Sequence, residues 1–345
     1  MLNLFGVHHP IIQAPMAGVS TPKLAAAVSN AGGLGSISIG ASTQEQARQL
    51  IEETKQLTSH PFNVNVFCHP TPSHDVVREA AWLAALAPFF AECHTTVPTE
   101  LKTPYRSFRD DEQILALLLA LKPPIVSFHF GLPSRESLSA LQAAGIKTMA
   151  TATNVDEAKR IEAAGNDAIV AQGIEAGGHR GQFAVNQHDT ALSTAVLVSL
   201  LIKQSQIPVI AAGGIMDGQG IKAALALGAI GVQMGTAFIL CPESAANATY
   251  RAALKSEQAY DTQLTSLISG RPARGLVNRL MLAHHLENLA IPAYPIAYDA
   301  AKSLHAAASV QGNHDFAVHW AGQGAPLARE LPAAQLITKL LQECN

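Results

Sequence analysis

The sequence predicts an α/β protein built on a (β/α)8 TIM barrel, with a smaller, mainly helical domain over the barrel mouth. The chain has 345 residues, enough for one large barrel and an additional domain. Short apolar runs alternate with longer amphipathic segments, which is typical of strands followed by helices. Three of the later apolar runs open directly into glycine-rich loops. Glycine amides at strand ends are expected where a barrel binds its ligand.

The order of the elements follows from the apolar runs and from the residues that begin and end helices. Thr21, followed by Pro22, is a favourable start for the first helix, and Asn154 for a later one. Gly145, Gly165 and Gly228 are the expected helix ends. The predicted strands cover residues 11–16, 34–39, 62–67, 124–129, 147–152, 168–172, 209–212 and 231–234. The predicted helices cover residues 21–30, 43–56, 110–121, 134–144, 154–165 and 218–227. A doubly wound open sheet is the alternative, but the first strand is not followed by G-x-G-x-x-G.

Three segments surround the expected ligand site. We expect residues 1–240 to form the barrel, including a long loop over residues 68–109 that serves as a lid or wall. Residues 241–308 are predicted to form a helical substrate domain, because residues 242–289 read as helical. Residues 309–345 are expected to return to the barrel through a last helix at 331–341.

Glycine pairs after the sixth and seventh strands, and Gly235-Thr236 after the eighth, predict a site for a charged ligand. Gly177-Gly178 and Gly213-Gly214 allow the backbone to approach a ligand without an intervening Cβ. The last two loops of a TIM barrel commonly bind phosphate. The alternative is that these glycines only turn the chain.

The composition excludes several classes of partner and site. The formal net charge of −3 and the absence of Lys/Arg-rich runs argue against nucleic acid and anionic membranes. The four cysteines are scattered without zinc spacing, and His284-His285 point to different helix faces, so no metal is expected. No signal peptide or membrane-spanning run is recognised. We therefore expect a cytoplasmic enzyme, a monomer or homodimer.

Seven motifs lie along the predicted barrel: Gln13-Ala14-Pro15-Met16-Ala17-Gly18-Val19, Gly32-Gly33-Leu34-Gly35, Asn63-Val64-Asn65, Ser127-Phe128-His129-Phe130-Gly131, Glu175-Ala176-Gly177-Gly178-His179-Arg180-Gly181, Ala212-Gly213-Gly214-Ile215 and Gln233-Met234-Gly235-Thr236. In combination they resemble the nitronate monooxygenases, formerly called 2-nitropropane dioxygenases, over the whole barrel. Tyr105, Tyr294, Tyr298 and Lys302 make the resemblance closest to class I. The resemblance implies FMN as cofactor and oxidation of alkyl nitronates, including propionate 3-nitronate, by dioxygen. The implied products are a carbonyl compound and nitrite, which makes nitronate detoxification the expected role.

The resemblance also implies which residues bind the cofactor. The residues expected to contact FMN are Met16, Asn65, Gln172, Gly177, Gly178, Gly213, Gly214, Gln233, Met234, Gly235 and Thr236. The amides of Asn65 and Gln172 suit the donor and acceptor edge of an isoalloxazine ring.

The resemblance and the position of His129 at the end of the fourth strand make it the expected catalytic residue, since an imidazole that titrates near neutral pH can bond a nitronate or act as a base. A core histidine without catalytic function is the alternative. His179, Tyr105, Tyr294, Tyr298 and Lys302 are expected to bind the substrate. We place Tyr294, Tyr298 and Lys302 on one helix face, where they would hold an anion, or would simply form a helix surface.

Two other functions remain open from the sequence. One is an FMN-dependent NADH:quinone reductase or enoyl-thioester reductase of the same fold, which anaerobic reduction by NADH would distinguish. The other is a non-catalytic flavin-binding sensor, because a fold does not determine a function.

Overall fold

The predicted barrel is confirmed. The computed structural model describes residues 1–185 and 187–344, and eight of its strands form one parallel sheet in the order β1-β9-β8-β6-β5-β4-β3-β2. Hydrogen bonds between Leu34 and the first strand close the sheet, with Leu34 N donating to Ile11 O at 2.9 Å and Gln13 N donating to Leu34 O at 2.9 Å. The strands are β1 Ile11–Gln13, β2 Gly35–Ser38, β3 Phe62–Phe67, β4 Ile125–His129, β5 Lys147–Ala152, β6 Ala168–Gln172, β7 Gly178–His179, β8 Val209–Ala212, β9 Gly231–Met234, β10 Thr262–Thr265 and β11 Ala273–Leu276. β7, β10 and β11 lie outside the barrel.

The barrel helices begin at the residues that the sequence indicates. The side chain of Thr21 accepts a hydrogen bond from Leu24 N at 3.0 Å, and that of Asn154 accepts one from Glu157 N at 2.9 Å. Such caps each contribute about 1 kcal/mol. The helices are α1 Leu2–Phe5, α2 Pro22–Asn30, α3 Gln44–Leu57, α4 Val76–Glu92, α5 Glu112–Leu121, α6 Arg135–Ala143, α7 Val155–Ala163, α8 Thr194–Gln204, α9 Gly218–Ala226, α10 Ala248–Leu254, α11 Ile296–Val310 and α12 Ala333–Glu343.

The hydrophobic core lies in two layers around the barrel sheet. The outer layer packs the helices on the strands and includes Leu336 and Leu340 of α12, which places the last helix on the barrel. The inner layer fills the barrel, where Phe5 and Val7 pack with Ile12 and other inward side chains. The amino-terminal segment therefore lies against the amino-terminal ends of the strands, opposite the ends where a ligand is expected.

The expectation that residues 242–289 are helical is wrong. Besides short 3-10 turns, the segment contains the seven-residue α10 and the antiparallel strands β10 and β11. β11 pairs in turn with β7, with Ala273 opposite His179 and Arg274 opposite Gly178. The Gly-Gly-His segment after β6 supplies the third strand of this small sheet, a pairing over a long sequence separation that local periodicity does not reveal.

Two further boundaries differ from the expectation. β1 ends at Gln13 instead of residue 16, because the chain turns there into the cavity-lining loop. The segment 68–109, expected to be a loop, contains the 17-residue α4, which Asp75 caps by accepting a hydrogen bond from Arg78 N at 3.0 Å. Trp82 and Leu86 of α4 pack in one buried cluster with Ile296 and other residues of α11. The cover over the barrel is thus built from both segments.

Candidate active site

A cavity of about 830 Å³ lies at the carboxyl ends of the barrel strands. Its volume is in the range that holds a cofactor or a drug-sized ligand. Every residue that the sequence analysis singled out for the site borders it: Met16, Asn65, Tyr105, His129, Gln172, Gly177, Gly178, His179, Gly213, Gly214, Gln233, Met234, Gly235, Thr236, Tyr294, Tyr298 and Lys302. The fold therefore brings residues from positions 16 to 302 to one site.

The loops after β8 and β9 form a rim rich in backbone donors. Gly213 and Gly214 have φ angles of 125° and 69°, in the left-handed region that favours glycine. Among the described residues, none accepts a hydrogen bond from the amide nitrogen of Gly214, Gly235 or Thr236. The Thr236 hydroxyl accepts one from Gly322 N at 3.0 Å. Amides that border a cavity without an acceptor in the protein form a suitable anion site.

The two predicted amide side chains are held in place by the protein. Gln172 Nε2 donates to His179 O at 3.0 Å, and Gln172 Oε1 accepts from Gly181 N at 2.8 Å. Asn65 Nδ2 donates to Ser127 Oγ at 3.0 Å. Gln172 therefore fixes the backbone of the loop that follows β6, and both amides present oriented groups to the cavity.

Arg180, to which the sequence analysis assigned no function, anchors the same loop. It is 1% exposed, and its guanidinium donates to the carbonyls of Gln172 and Gly173, each at 2.9 Å. Nε and Nη2 donate to the Asp189 carboxylate at 2.9 and 3.2 Å. A two-point contact of this kind holds the loop rigidly. The sequence feature that could have indicated this function is the charged residue directly after the Gly-Gly-His motif.

His129 lies at the end of β4 with both ring nitrogens engaged. Nε2 lies 3.2 Å from His179 O and Nδ1 lies 3.1 Å from Thr151 Oγ1. Because a carbonyl can only accept, Nε2 carries the proton and Nδ1 accepts from the Thr151 hydroxyl. Burial lowers the pKa of His129 to about 4. The imidazole is therefore neutral at physiological pH, and its Nδ1 lone pair is the basic group.

His179 belongs to β7 of the small sheet, and its imidazole is also neutral. Its Nε2 lies 2.9 Å from Ser269 Oγ, and that hydroxyl in turn donates to Arg271 O at 3.1 Å. Because the Ser269 hydroxyl donates its only proton to Arg271 O, its oxygen accepts the hydrogen bond from His179 Nε2. The proton of the neutral imidazole is therefore on Nε2, and Nδ1 is unprotonated. Burial lowers the pKa of His179 to about 3, with a further lowering from His129.

Three tyrosines and Lys302 form one wall of the cavity, and Tyr298 and Lys302 of this wall belong to α11. Lys302 Nζ lies 4.4 Å from the ring centroid of Tyr105 and 4.9 Å from that of Tyr298. Burial raises the pKa of Tyr105 and of Tyr294, so both phenols stay protonated. The expectation that Tyr294 shares a helix with Tyr298 is wrong, because α11 begins at Ile296. The turn at Pro295 nevertheless brings Tyr294 to the same wall.

The sequence analysis missed one wall of the cavity. Residues 317–320 border it, together with Tyr250 of α10. The Tyr250 ring stacks on His319 at 4.6 Å between centroids, and its hydroxyl donates to Trp320 O. Trp320 Nε1 donates to Tyr298 OH at 3.3 Å. The available signal was Trp320 itself, one of only two tryptophans in the chain.

Comparison with known proteins now assigns the family. A family model described as nitronate monooxygenase matches residues 1–343. The chain belongs to the nitronate monooxygenase family. The nitronate monooxygenase of Pseudomonas aeruginosa is 57% identical over 342 residues, which cover 99% of this chain and 97% of that protein. The expected family and the expected enzyme class are confirmed, and the chain is an oxidoreductase that oxidises nitronates.

Solved structures show the same architecture. A nitroalkane oxidase from Streptomyces ansochromogenes superimposes with a TM-score of 0.90 at 42% identity, covering 99% of this chain and 97% of that one. FabK from Thermotoga maritima superimposes with a TM-score of 0.75 at 31% identity, covering 99% and 94%.

No helix within residues 1–185 and 187–344 is long and apolar enough to cross a membrane. In the same ranges, no three His, Cys, Asp or Glu side chains are grouped so that they could hold a metal ion.

Proposed function

We propose that this nitronate monooxygenase binds FMN in the cavity and oxidises alkyl nitronates with dioxygen, with propionate 3-nitronate as the preferred substrate. The observation that carries the proposal is the rim formed by the amides of Gly214, Gly235 and Thr236, which have no acceptor among the described residues. The terminal phosphate of FMN is an anion that such amides would bind, and the rim lies in the loops where TIM barrels usually bind phosphate.

The cavity fits FMN in size and chemistry. Its volume of about 830 Å³ leaves room for a small substrate beside a flavin mononucleotide. A Cβ at Gly177 would lie 2.4 Å from Gly322 N, so glycine there lets the protein backbone at residues 177 and 322, which both border the cavity, pack closely. FMN would supply the redox chemistry between nitronate and dioxygen, and the protein would supply binding and orientation.

The wall opposite the glycine rim suits an anionic substrate. Among the described residues, the phenol oxygens of Tyr105 and Tyr294 have no hydrogen-bond partner, although both residues border the cavity. Lys302 adds a positive charge beside them. A phenol or ammonium donor to a carboxylate or nitronate oxygen forms a charge-assisted hydrogen bond. This arrangement favours propionate 3-nitronate, which carries an anionic group at each end.

The substitution Gly235→Ala tests the FMN site. The new Cβ would lie 3.5 Å from Ala14 Cβ and 3.6 Å from Met16 Sδ, which are ordinary contacts, and the Gly235 φ of −102° is accessible to alanine. The protein without ligand should therefore melt at an unchanged temperature, while a methyl group at the rim should weaken FMN binding at least about tenfold by crowding the phosphate.

Gly145→Ala is the matched control. Gly145 ends α6 with a φ of 83°, far from the cavity, so its substitution should lower stability and leave FMN affinity unchanged. Isothermal titration of the two flavin-free variants with FMN measures their FMN affinities, and thermal melting measures their stabilities. Unaltered FMN affinity in Gly235→Ala would contradict the proposed phosphate site.

Anaerobic titration with NADH addresses the reductase alternative. Rapid bleaching of the flavin absorbance by NADH, without oxygen uptake on nitronates, would replace our proposal with that alternative.

A further inference from the structure

Arg271 is a buried cation that the site described so far does not use. Its side chain is 1% exposed, and Nη1 donates to Gln182 O at 2.7 Å. Among the described residues, no carboxylate lies within 4.0 Å of its guanidinium, and the buried Glu157 acts on it only from beyond that distance. By contrast, the equally buried Arg180 is paired with Asp189. A buried charge without a contacting counter-ion is costly and therefore calls for a functional explanation.

The guanidinium of Arg271 lies directly behind the aromatic wall of the cavity. Its central carbon is 4.5 Å from the ring centroid of Phe130 and 5.8 Å from that of Tyr294, and both rings border the cavity. Phe130 has a φ of 71°, an unfavourable conformation for a bulky residue. Strain of this kind is found mainly at functional sites, and here it holds the ring between the cation and the cavity.

The electrostatic field of the Arg271 charge acts on the cavity across these two aromatic rings. The Phe130 centroid lies 4.5 Å from that of His129 and 5.6 Å from that of His179. After burial, Arg271 is among the groups that lower the pKa of each of these histidines. Burial lowers the pKa of Arg271 itself to about 10, so it remains charged at neutral pH.

We propose that Arg271 is a positioning residue that makes the site select the anionic nitronate over its neutral nitro conjugate acid. It acts through Phe130 and Tyr294 and does not touch the substrate. A nitronate and the corresponding nitro compound have the same heavy atoms and differ by one proton, so shape alone discriminates weakly between them. A fixed positive charge in a poorly solvated region does discriminate, because the field acts only on the charged form.

This inference deepens the proposed function and rests on it, and it assigns different ends of the substrate to different cations. Lys302 lies at the exposed end of the wall beside Tyr105, whereas Arg271 lies behind Phe130 near His129. Lys302 is therefore the partner of a substrate carboxylate, and Arg271 favours charge at the nitronate end.

The test compares two ligands that differ only at the nitro end. The affinity for propionate 3-nitronate is measured from steady-state kinetics, and that for 3-nitropropionate from its competitive inhibition constant. In Arg271→Gln, which keeps a donor for Gln182 O, affinity for the nitronate should fall about tenfold. Affinity for 3-nitropropionate should stay within about twofold, because its nitro group is neutral. Arg271→Lys retains the charge and should retain the preference.

Arg274→Met is the matched control. Arg274 is also buried, but it donates to the carbonyls of Ile174 and Thr262 and has no recorded contact with the aromatic wall. Its loss should leave the nitronate preference unchanged. Equal losses for both ligands in Arg271→Gln, or loss of the preference in Arg271→Lys, would overturn the inference. Failure of the wild-type enzyme to oxidise propionate 3-nitronate would instead overturn the proposed function.

Discussion

At the scale of single residues, the environment of His129 bears on whether it is a catalytic histidine or a core histidine. Both ring nitrogens are bonded, yet the residue borders the cavity and lies beside His179. Its position at a strand end was predictable from the sequence. Its bond to Thr151 was not, because the partner lies on the neighbouring β5.

Replacement of His129 by Asn should lower turnover of propionate 3-nitronate and leave FMN bound. The proposed phosphate site at Gly214, Gly235 and Thr236 does not include His129, whereas the lost imidazole would contribute a hydrogen bond or a base. The expected decrease in kcat is at least about tenfold. Stopped-flow kinetics and the flavin content of the purified variant provide the measurement.

His69→Phe is a suitable comparison for this variant, because His69 lies behind Tyr294 and is buried. Full activity of His129→Asn on both a nitronate and its neutral nitro compound would mean that His129 is a core histidine.

Replacement of Lys302 by Met should selectively weaken binding of the carboxylated substrate. A charge-assisted hydrogen bond contributes about 1.5–3 kcal/mol, so the apparent affinity for propionate 3-nitronate should fall roughly 10- to 100-fold. Ethyl nitronate has no carboxylate and should be affected much less. Steady-state kinetics with both substrates provide the measurement.

Lys102→Met controls for loss of a surface lysine on the same cover, because Lys102 does not border the cavity. Equal losses for the two substrates would mean that Lys302 binds the nitronate group or supports the fold.

At the scale of elements, the barrel could be predicted from the sequence, whereas the elements that build its cover could be predicted only in part. Barrel strands and helices follow local rules, such as the Thr21 cap and the apolar run at residues 209–212. The small sheet instead joins β11 to β7, which are separated by almost a hundred residues. The helix α4 was missed because the segment 68–109 is rich in His, Pro and Thr, a composition that suggested a loop.

Glu175 links the loop after β6 to the start of α8 through its side chain and to residue 323 through its backbone. Its carboxylate accepts hydrogen bonds from the amide and hydroxyl of Thr194 at the start of α8, both at 2.9 Å, and its backbone carbonyl accepts one from Gln323 N at 2.9 Å. We expect Glu175→Ala to reduce the free energy of unfolding by about 1–2 kcal/mol, as for the loss of a helix cap. Urea denaturation measures this change.

Glu45→Ala, at the exposed first turn of α3, should cost only a few tenths of a kcal/mol. A Glu175→Ala variant no less stable than Glu45→Ala would show that the α8 contact contributes nothing.

At the scale of the whole molecule, the protein should lose stability in mild acid. Burial lowers the pKa of His69, His129 and His319 to about 4, and that of His179 to about 3. The unfolded chain binds protons on these groups below about pH 6.5, whereas the folded chain does not. The free energy of unfolding should therefore fall as the pH drops from about 6.5 to about 4, by up to roughly 1.4 kcal/mol per pH unit for each group.

His69→Phe isolates one of these contributions. Neither ring nitrogen of His69 has a hydrogen-bond partner among the described residues, so phenylalanine removes a titrating group without breaking a bond. Its pH dependence, measured by urea denaturation between pH 4 and 7, should be shallower than that of the wild type. An identical slope would exclude His69 from the acid response.

Oxygen uptake by the purified protein tests the central claim most directly. The account predicts a yellow protein that releases FMN on denaturation and consumes dioxygen when propionate 3-nitronate is added, with nitrite as a product. A colourless protein that neither binds FMN nor consumes dioxygen with any nitronate would contradict it.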